Sequence, residues 1–190
     1  YQAYAVDTWY IFDQGHPGLA DLQEYDAVIW STGDCPAKVP DPEDTETLRQ
    51  YVGAGGRLLI EGMSIGAGWS GTPFYAEVCH AEASGAAPQV DLEVADGEHP
   101  LARGFDKGEV IAFIEVPPEV QITPDVVMAA SEAQVVFVRG PKSEKAGEHS
   151  IIAYEGGGAR VVYIAFPIYL LPEGAVTMLV QNAAAWLLGK

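Results

Sequence analysis

Basic residues are scarce in this chain: 10 lysines and arginines stand against 27 aspartates and glutamates, a net charge of −17 over 190 residues. A surface of that sign repels phosphate backbones and anionic lipid, which excludes nucleic-acid and membrane-surface binding as functions. Long apolar runs are missing too. No stretch of 18 apolar residues occurs, so no membrane-spanning helix is expected. Cysteine is nearly absent, with Cys35 and Cys79 only and no Cys-x-x-Cys spacing, which excludes a zinc cluster of the usual kind. The two thiols are the one disulfide candidate, and a bridge would point to an oxidising compartment; two unrelated thiols are the alternative. The opening residues carry no secretion signal and do not start at a methionine, so a processed or excised piece is expected.

What is present is a globular composition, 48% apolar and 19% charged, at a length that suits one α/β domain burying roughly 70% of its unfolded surface. The most informative stretch is Arg57 to Gly68. The apolar Leu58-Leu59-Ile60 reads as a strand covered on both faces, and it leads through Glu61 into Gly62-Met63-Ser64-Ile65-Gly66. Strand, Gly-x-Ser-x-Gly turn, helix start is the layout of a nucleophile elbow, which lifts its serine to the carboxyl edge of a parallel sheet.

Around it, Tyr4 to Phe12 is rich in β-formers and reads as a strand, as does Asp26 to Ser31. Asp41-Pro42-Glu43-Asp44 has the acids and the proline of a helix start, and that helix runs to Val52 before the Gly53 to Gly56 stop. Strand, helix, strand with short links makes the sheet parallel. The loop Thr32-Gly33-Asp34-Cys35 should therefore lie beside the elbow. Pro73 to Ala83 reads as a helix. Val90–Val94, Val110–Val116, Val126–Ala130, Gln134–Arg139 and Ser150–Tyr154 read as short strands of a β-rich insertion over about 85–155. Arg160 to Phe166 is a buried strand, and Glu173 to Leu188 is a helix with Val176, Leu179, Val180, Ala183 and Leu187 on one stripe. The fold class is α/β, a doubly wound, mainly parallel, flavodoxin-like sheet carrying that insertion.

Tyr25 to Asp34, the helix ending in Gly55-Gly56-Arg57-Leu58-Leu59, and Gly62-x-x-x-Gly66 together resemble the class I glutamine amidotransferase-like fold. The resemblance is closest to degenerate versions carried as accessory domains by large secreted bacterial and archaeal proteins, some peptidases among them. It implies that Ser64 stands where catalytic members hold a cysteine. It also implies a histidine with a nearby glutamate after the late strand, but Val161 to Phe166 is followed by Pro167-Ile168-Tyr169-Leu170-Leu171-Pro172-Glu173, with no histidine. A serine hydroxyl needs a base within about 3 Å to become a nucleophile. The candidates are His16, His80, His99 and His149, and none lies near Ser64 in sequence.

The leading expectation is a non-catalytic amidotransferase-like binding or structural module of a larger extracytoplasmic protein. Its partners would be neighbouring domains and a small molecule or glycan. The expected ligand pocket comprises Thr32, Gly33, Asp34, Glu61, Gly62, Met63, Ser64 and Trp69. Glu61 is expected either to line it or to bond to backbone, and Trp69 to be exposed for stacking on a sugar. The alternatives are a serine hydrolase using Ser64 with a histidine from the insertion, and a carbohydrate-binding module built on Trp69. No cofactor or metal is expected; calcium on Asp34, Asp41, Glu43, Asp44 and Glu46 is the exception weighed, and helix-start chemistry accounts for most of those acids.

Overall fold

A computed structural model describes residues 4–35, 39–117 and 122–190. Three parallel strands form its centre: β1 (Val28–Ser31), β2 (Arg57–Glu61) and β9 (Ala159–Ile164). Trp30 pairs with Ile60 and Ile60 with Tyr163 across this unit. Leu58, Leu59 and Ile60 are fully buried, as a strand flanked on both faces must be. The helix α3 (Pro42–Gly53) crosses from β1 to β2, with Pro42 in its first turn and acids at Glu43 and Asp44. It packs Leu48, Tyr51 and Val52 on one face of the sheet. The last helix, α6 (Glu173–Leu187), covers the other face with Leu179, Ala183, Trp186 and Leu187. Each of the larger of these side chains, such as Leu48 or Leu179, stabilises the fold by roughly 2 kcal/mol when removed from water.

The β-rich region continues this same sheet. A hairpin turning at Gly157 and Gly158, both at positive φ, joins β8 (His149–Gly156) antiparallel to β9. Beyond β8 run β7 (Gln134–Arg139), β4 (Asp91–Val94) and β5 (Val110–Ala112). The sheet also forks: β6 (Asp125–Ala129) pairs with β8 at Val127–His149 and carries β3 (Ala81–Ala86) on its far side. The α/β class holds, with the parallel part confined to β1, β2 and β9. No helix among the described residues is long and apolar enough to cross a membrane.

Two elements differ from expectation. Residues 4–10 form no strand, and Ile11–Gln14 make a single helical turn, α1. Local side-chain bonds replace a ladder there: the Trp9 indole donates to Gly15 O at 2.7 Å, and Gln14 accepts from the Tyr10 N–H at 2.7 Å. The helix expected over Pro73 to Ala83 ends at Glu77 as α5 (Pro73–Glu77). His80 then turns the chain at a left-handed φ of 50° and releases it into β3.

Candidate functional site

The elbow forms where the residues place it. Ser64 follows β2 and precedes the short helix α4 (Ile65–Trp69), and its backbone is left-handed at φ 68°, ψ 3°. A non-glycine residue held there stores of order 1 kcal/mol. Gly62 must be glycine. Its φ is 136°, and a Cβ on it would lie 2.0 Å from Thr32 Oγ1. That close approach brings the two loops together: the Met63 N–H donates to Gly33 O at 2.9 Å and the Thr32 N–H to Glu61 O at 2.9 Å.

Glu61 is buried. Its carboxylate accepts from the Ser31 hydroxyl and, at 3.0 Å, from the Ile168 N–H. Burial raises its pKa against the pull of those two donors. It thus fastens the segment after β9, where a catalytic histidine would have stood, to the end of β2. The next residue, Tyr169, donates its hydroxyl to Asp34 at 3.1 Å. Three loops therefore meet over the elbow and bond directly to one another.

The decisive group is one that the local sequence does not announce. Asp125, the first residue of β6, is fully buried. Its carboxylate accepts the Gly66 N–H at 2.7 Å and the Ala67 N–H at 3.0 Å, with the Tyr163 hydroxyl at 3.3 Å. It caps α4 from another strand, in the place that a serine at the helix start would fill. Ser64 makes no capping bond. Burial pushes the Asp125 carboxyl up to about 6, overriding the amide donors that favour its charge. A charged residue heading an otherwise apolar strand (Asp125-Val126-Val127-Met128) was the one available signal for it.

All four imidazoles serve other contacts. His16 Nδ1 donates to Asp44 at 2.9 Å, which raises its pKa. His80 stacks on Tyr154 with ring centroids 3.4 Å apart. His99 Nδ1 accepts the Leu101 N–H and His149 Nδ1 the Ala129 N–H. Trp69, expected to be exposed, is buried; its indole donates to Pro40 O at 3.0 Å and its ring meets Phe74 edge-on. That leaves no face for a sugar. Cys35 and Cys79 are free thiols rather than a bridge: Cys35 follows the edge strand β1, whereas Cys79 is buried just ahead of β3, on the other arm of the sheet. Of the acids weighed for calcium, two come together: Asp41 and Asp44, with His16, offer ligand atoms within 4.8 Å of one another. Asp34 is engaged by Tyr169 and Glu46 by Arg49. Two clefts open at the amino end of the strands, one beside Tyr25 and Arg57 and one beside Arg49 and His80; neither is lined by the elbow.

No protein-family model matches the chain, and no curated protein matches it in sequence. Solved structures do match. A ThuA-like protein from Bacteroides uniformis aligns over 95% of this chain and 80% of its own, with a TM-score of 0.59 at 14% identity. A GMP synthase component from Thermoplasma acidophilum aligns over 88% and 77%, at 0.56 and 11%. The fold is amidotransferase-like. A β-galactosidase from Rahnella sp. R3 matches 87% of this chain with 23% of its own, at 0.59 and 18%. At these identities the likeness concerns the fold and leaves the chemistry to the residues.

Proposed function

We propose that this amidotransferase-like chain is a non-catalytic module that binds or supports neighbouring domains of a larger, extracytoplasmic protein. The observation that carries the reading is Asp125. Acyl transfer at an elbow requires amide donors free to hold an oxyanion and a base beside the hydroxyl. Here the amide after the nucleophile, Ile65, and those of Gly66 and Ala67 are all engaged by the Asp125 carboxylate, whose negative charge at neutral pH would oppose an oxyanion. The segment after β9 supplies Ile168 and Tyr169 instead of a histidine. The β-galactosidase, in which a fold of this kind makes up 23% of the chain, supports the modular part of the reading.

One observation favours the rival, a serine hydrolase: Ser64 keeps the strained elbow backbone with its hydroxyl unused as a cap. A fluorophosphonate probe separates the two. The module reading expects no stoichiometric labelling between about pH 6 and about pH 9, the range in which a histidine base would act. Labelling of the wild type that Ser64→Ala abolishes would make the protein a hydrolase.

A further inference from the structure

The arm formed by β3 and β6 leaves the main sheet through a narrow joint. Among the described residues β3 pairs with β6 alone, and β6 meets β8 through the single residue pair Val127–His149. Asp125 holds the first end of β6 to α4. The far end, at Ala129 and the following Ala130, is held by two histidines. His149 Nδ1 accepts the Ala129 N–H at 3.0 Å, and the His80 carbonyl accepts the Ala130 N–H at 2.8 Å.

Each histidine suits its place only with its ring uncharged. A ring nitrogen that accepts an amide proton carries none of its own, so the His149 proton sits on Nε2. A second proton would go to Nδ1 and set donor against donor. His80 is constrained differently. Its backbone is left-handed at φ 50°, its side chain is 9% exposed, and its ring lies on Tyr154 with the centroids 3.4 Å and the planes 15° apart. Both ring nitrogens are buried, and among the described residues neither has a hydrogen-bond partner. The neutral ring leaves one donor unpaired there; an imidazolium would leave two, and a charge with them.

The surrounding charges do little to offset this. Glu132, in the turn after β6, stands 3.5 Å from His80 Nδ1, but its carboxylate is half exposed and screened. Arg49 and Glu77, which line the same cleft as His80 and Tyr154, are bonded to one another. The adjoining Cys79 thiol stays protonated, since burial raises its pKa. Burial outweighs Glu132 and lowers the His80 pKa. For His149, the cross-strand partners Val127 and Val138 are apolar, and the charged residues beside it in the ladder are Glu148 and Arg139. We propose that the Ala129–Ala130 end of the arm is an acid-operated latch, closed while His80 and His149 are neutral and opened when they take up protons. The rings then turn away, the end of β6 parts from β8 and from the turn at His80, and Tyr154 is uncovered in the cleft beside Arg49. Asp125 works in the opposite sense, because its buried carboxyl favours the proton, so the first end of β6 stays on α4. A released histidine has the ordinary pKa of about 6.5, so one that must be neutral in the closed state favours opening by up to about 30-fold at about pH 5. The latch needs no ligand and is independent of whether Ser64 reacts.

Hydrogen exchange of the whole chain, followed amide by amide by NMR at about pH 7 and about pH 5 and corrected for the intrinsic rate, reads the latch directly. Protection at Ala129 and Ala130 is expected to fall at least about tenfold on acidification, while Leu59 and Val162 in the parallel centre keep theirs. His80→Phe keeps a ring over Tyr154 and His149→Asn keeps an acceptor for Ala129, and neither replacement titrates. The double variant should hold its protection at about pH 5 to within about twofold of that at about pH 7. Protection at Ala129 and Ala130 unchanged by acid, a loss shared equally by Leu59 and Val162, or the same loss in the double variant would each overturn the assignment. If the double variant does not fold, the wild type at intermediate pH decides. Its protection at Ala129 and Ala130 should fall progressively below about pH 6.5, and a loss confined to below about pH 4.5, where carboxylates titrate, would overturn the latch equally.

Discussion

Asp125 gives the sharpest quantitative expectation. Its carboxyl titrates at about 6 in the folded chain, against an ordinary value of 3.8. A raised carboxyl pKa means that the folded state holds the proton more tightly than the unfolded one. The resulting stability is fully present below the unfolded pKa and is lost as pH rises through the folded one, between about pH 4 and about pH 6. The shift corresponds to about 2–3 kcal/mol. Asp125→Asn keeps the shape and one oxygen, enough for one of the two amides that now bond to separate carboxylate oxygens; that loss costs the same at every pH, and the titration is removed. Urea unfolding of both proteins across this range gives the difference in stability between them at each pH. That difference cancels other titrating groups, including Glu61, whose buried carboxyl shifts in the same direction. The asparagine variant should gain about 2–3 kcal/mol relative to the wild type on going from about pH 4 to about pH 7. A difference constant with pH would refute the picture of a buried carboxylate ionised against its surroundings at the cap of α4.

Two further expectations concern single residues. Ser64→Gly removes a side chain from a left-handed backbone and should raise stability by about 1 kcal/mol, or a few degrees in Tm; a fall in Tm would mean that the serine side chain is held by contacts that outweigh the strain. The His16 imidazole, paired with Asp44, should titrate above its ordinary value by NMR, and Asp44→Asn should bring it back down. Because the folded pKa is raised, whatever stability this pair gives is present below the ordinary histidine pKa and lost as pH rises past the raised one; an unchanged His16 midpoint in Asp44→Asn would remove Asp44 as the cause.

The parallel centre was legible because burial imposes it on the sequence. Leu58-Leu59-Ile60 and Val161-Val162-Tyr163 are apolar without alternation, as strands covered on both faces must be. Gly62 was legible as a tight turn, since no other residue adopts its φ against Thr32 so closely. Tyr4 to Phe12 misled because β propensity describes a side chain's fit to a pleated surface and does not supply a partner strand. Trp69 misled because its burial depends on Pro40, 29 residues away. Asp125 caps an amide 59 residues back in the chain, a pairing made only when β6 joins β8. The contacts of Trp69 and Asp125 are long-range, and local pattern carries no record of those.

Under the module reading, the same contacts explain how an elbow persists without acyl-transfer chemistry. A strand must end and a helix begin within a few residues at the carboxyl edge of β2, and a left-handed residue after Gly62 accomplishes this whatever its side chain does. The helix that starts there has orphan amides, and in a closed protein these need an acceptor. In a catalytic site water or substrate would serve in turn. Here Asp125 occupies them, and Tyr163 beside it fixes its position. With that carboxylate in place, an oxyanion reaching for the Ile65 amide would compete with Asp125 for it and meet a like charge. Glu61 and Asp34 hold Ile168 and Tyr169 at the same edge. The strained turn is thus stabilised by the very contacts that would leave it without a reaction.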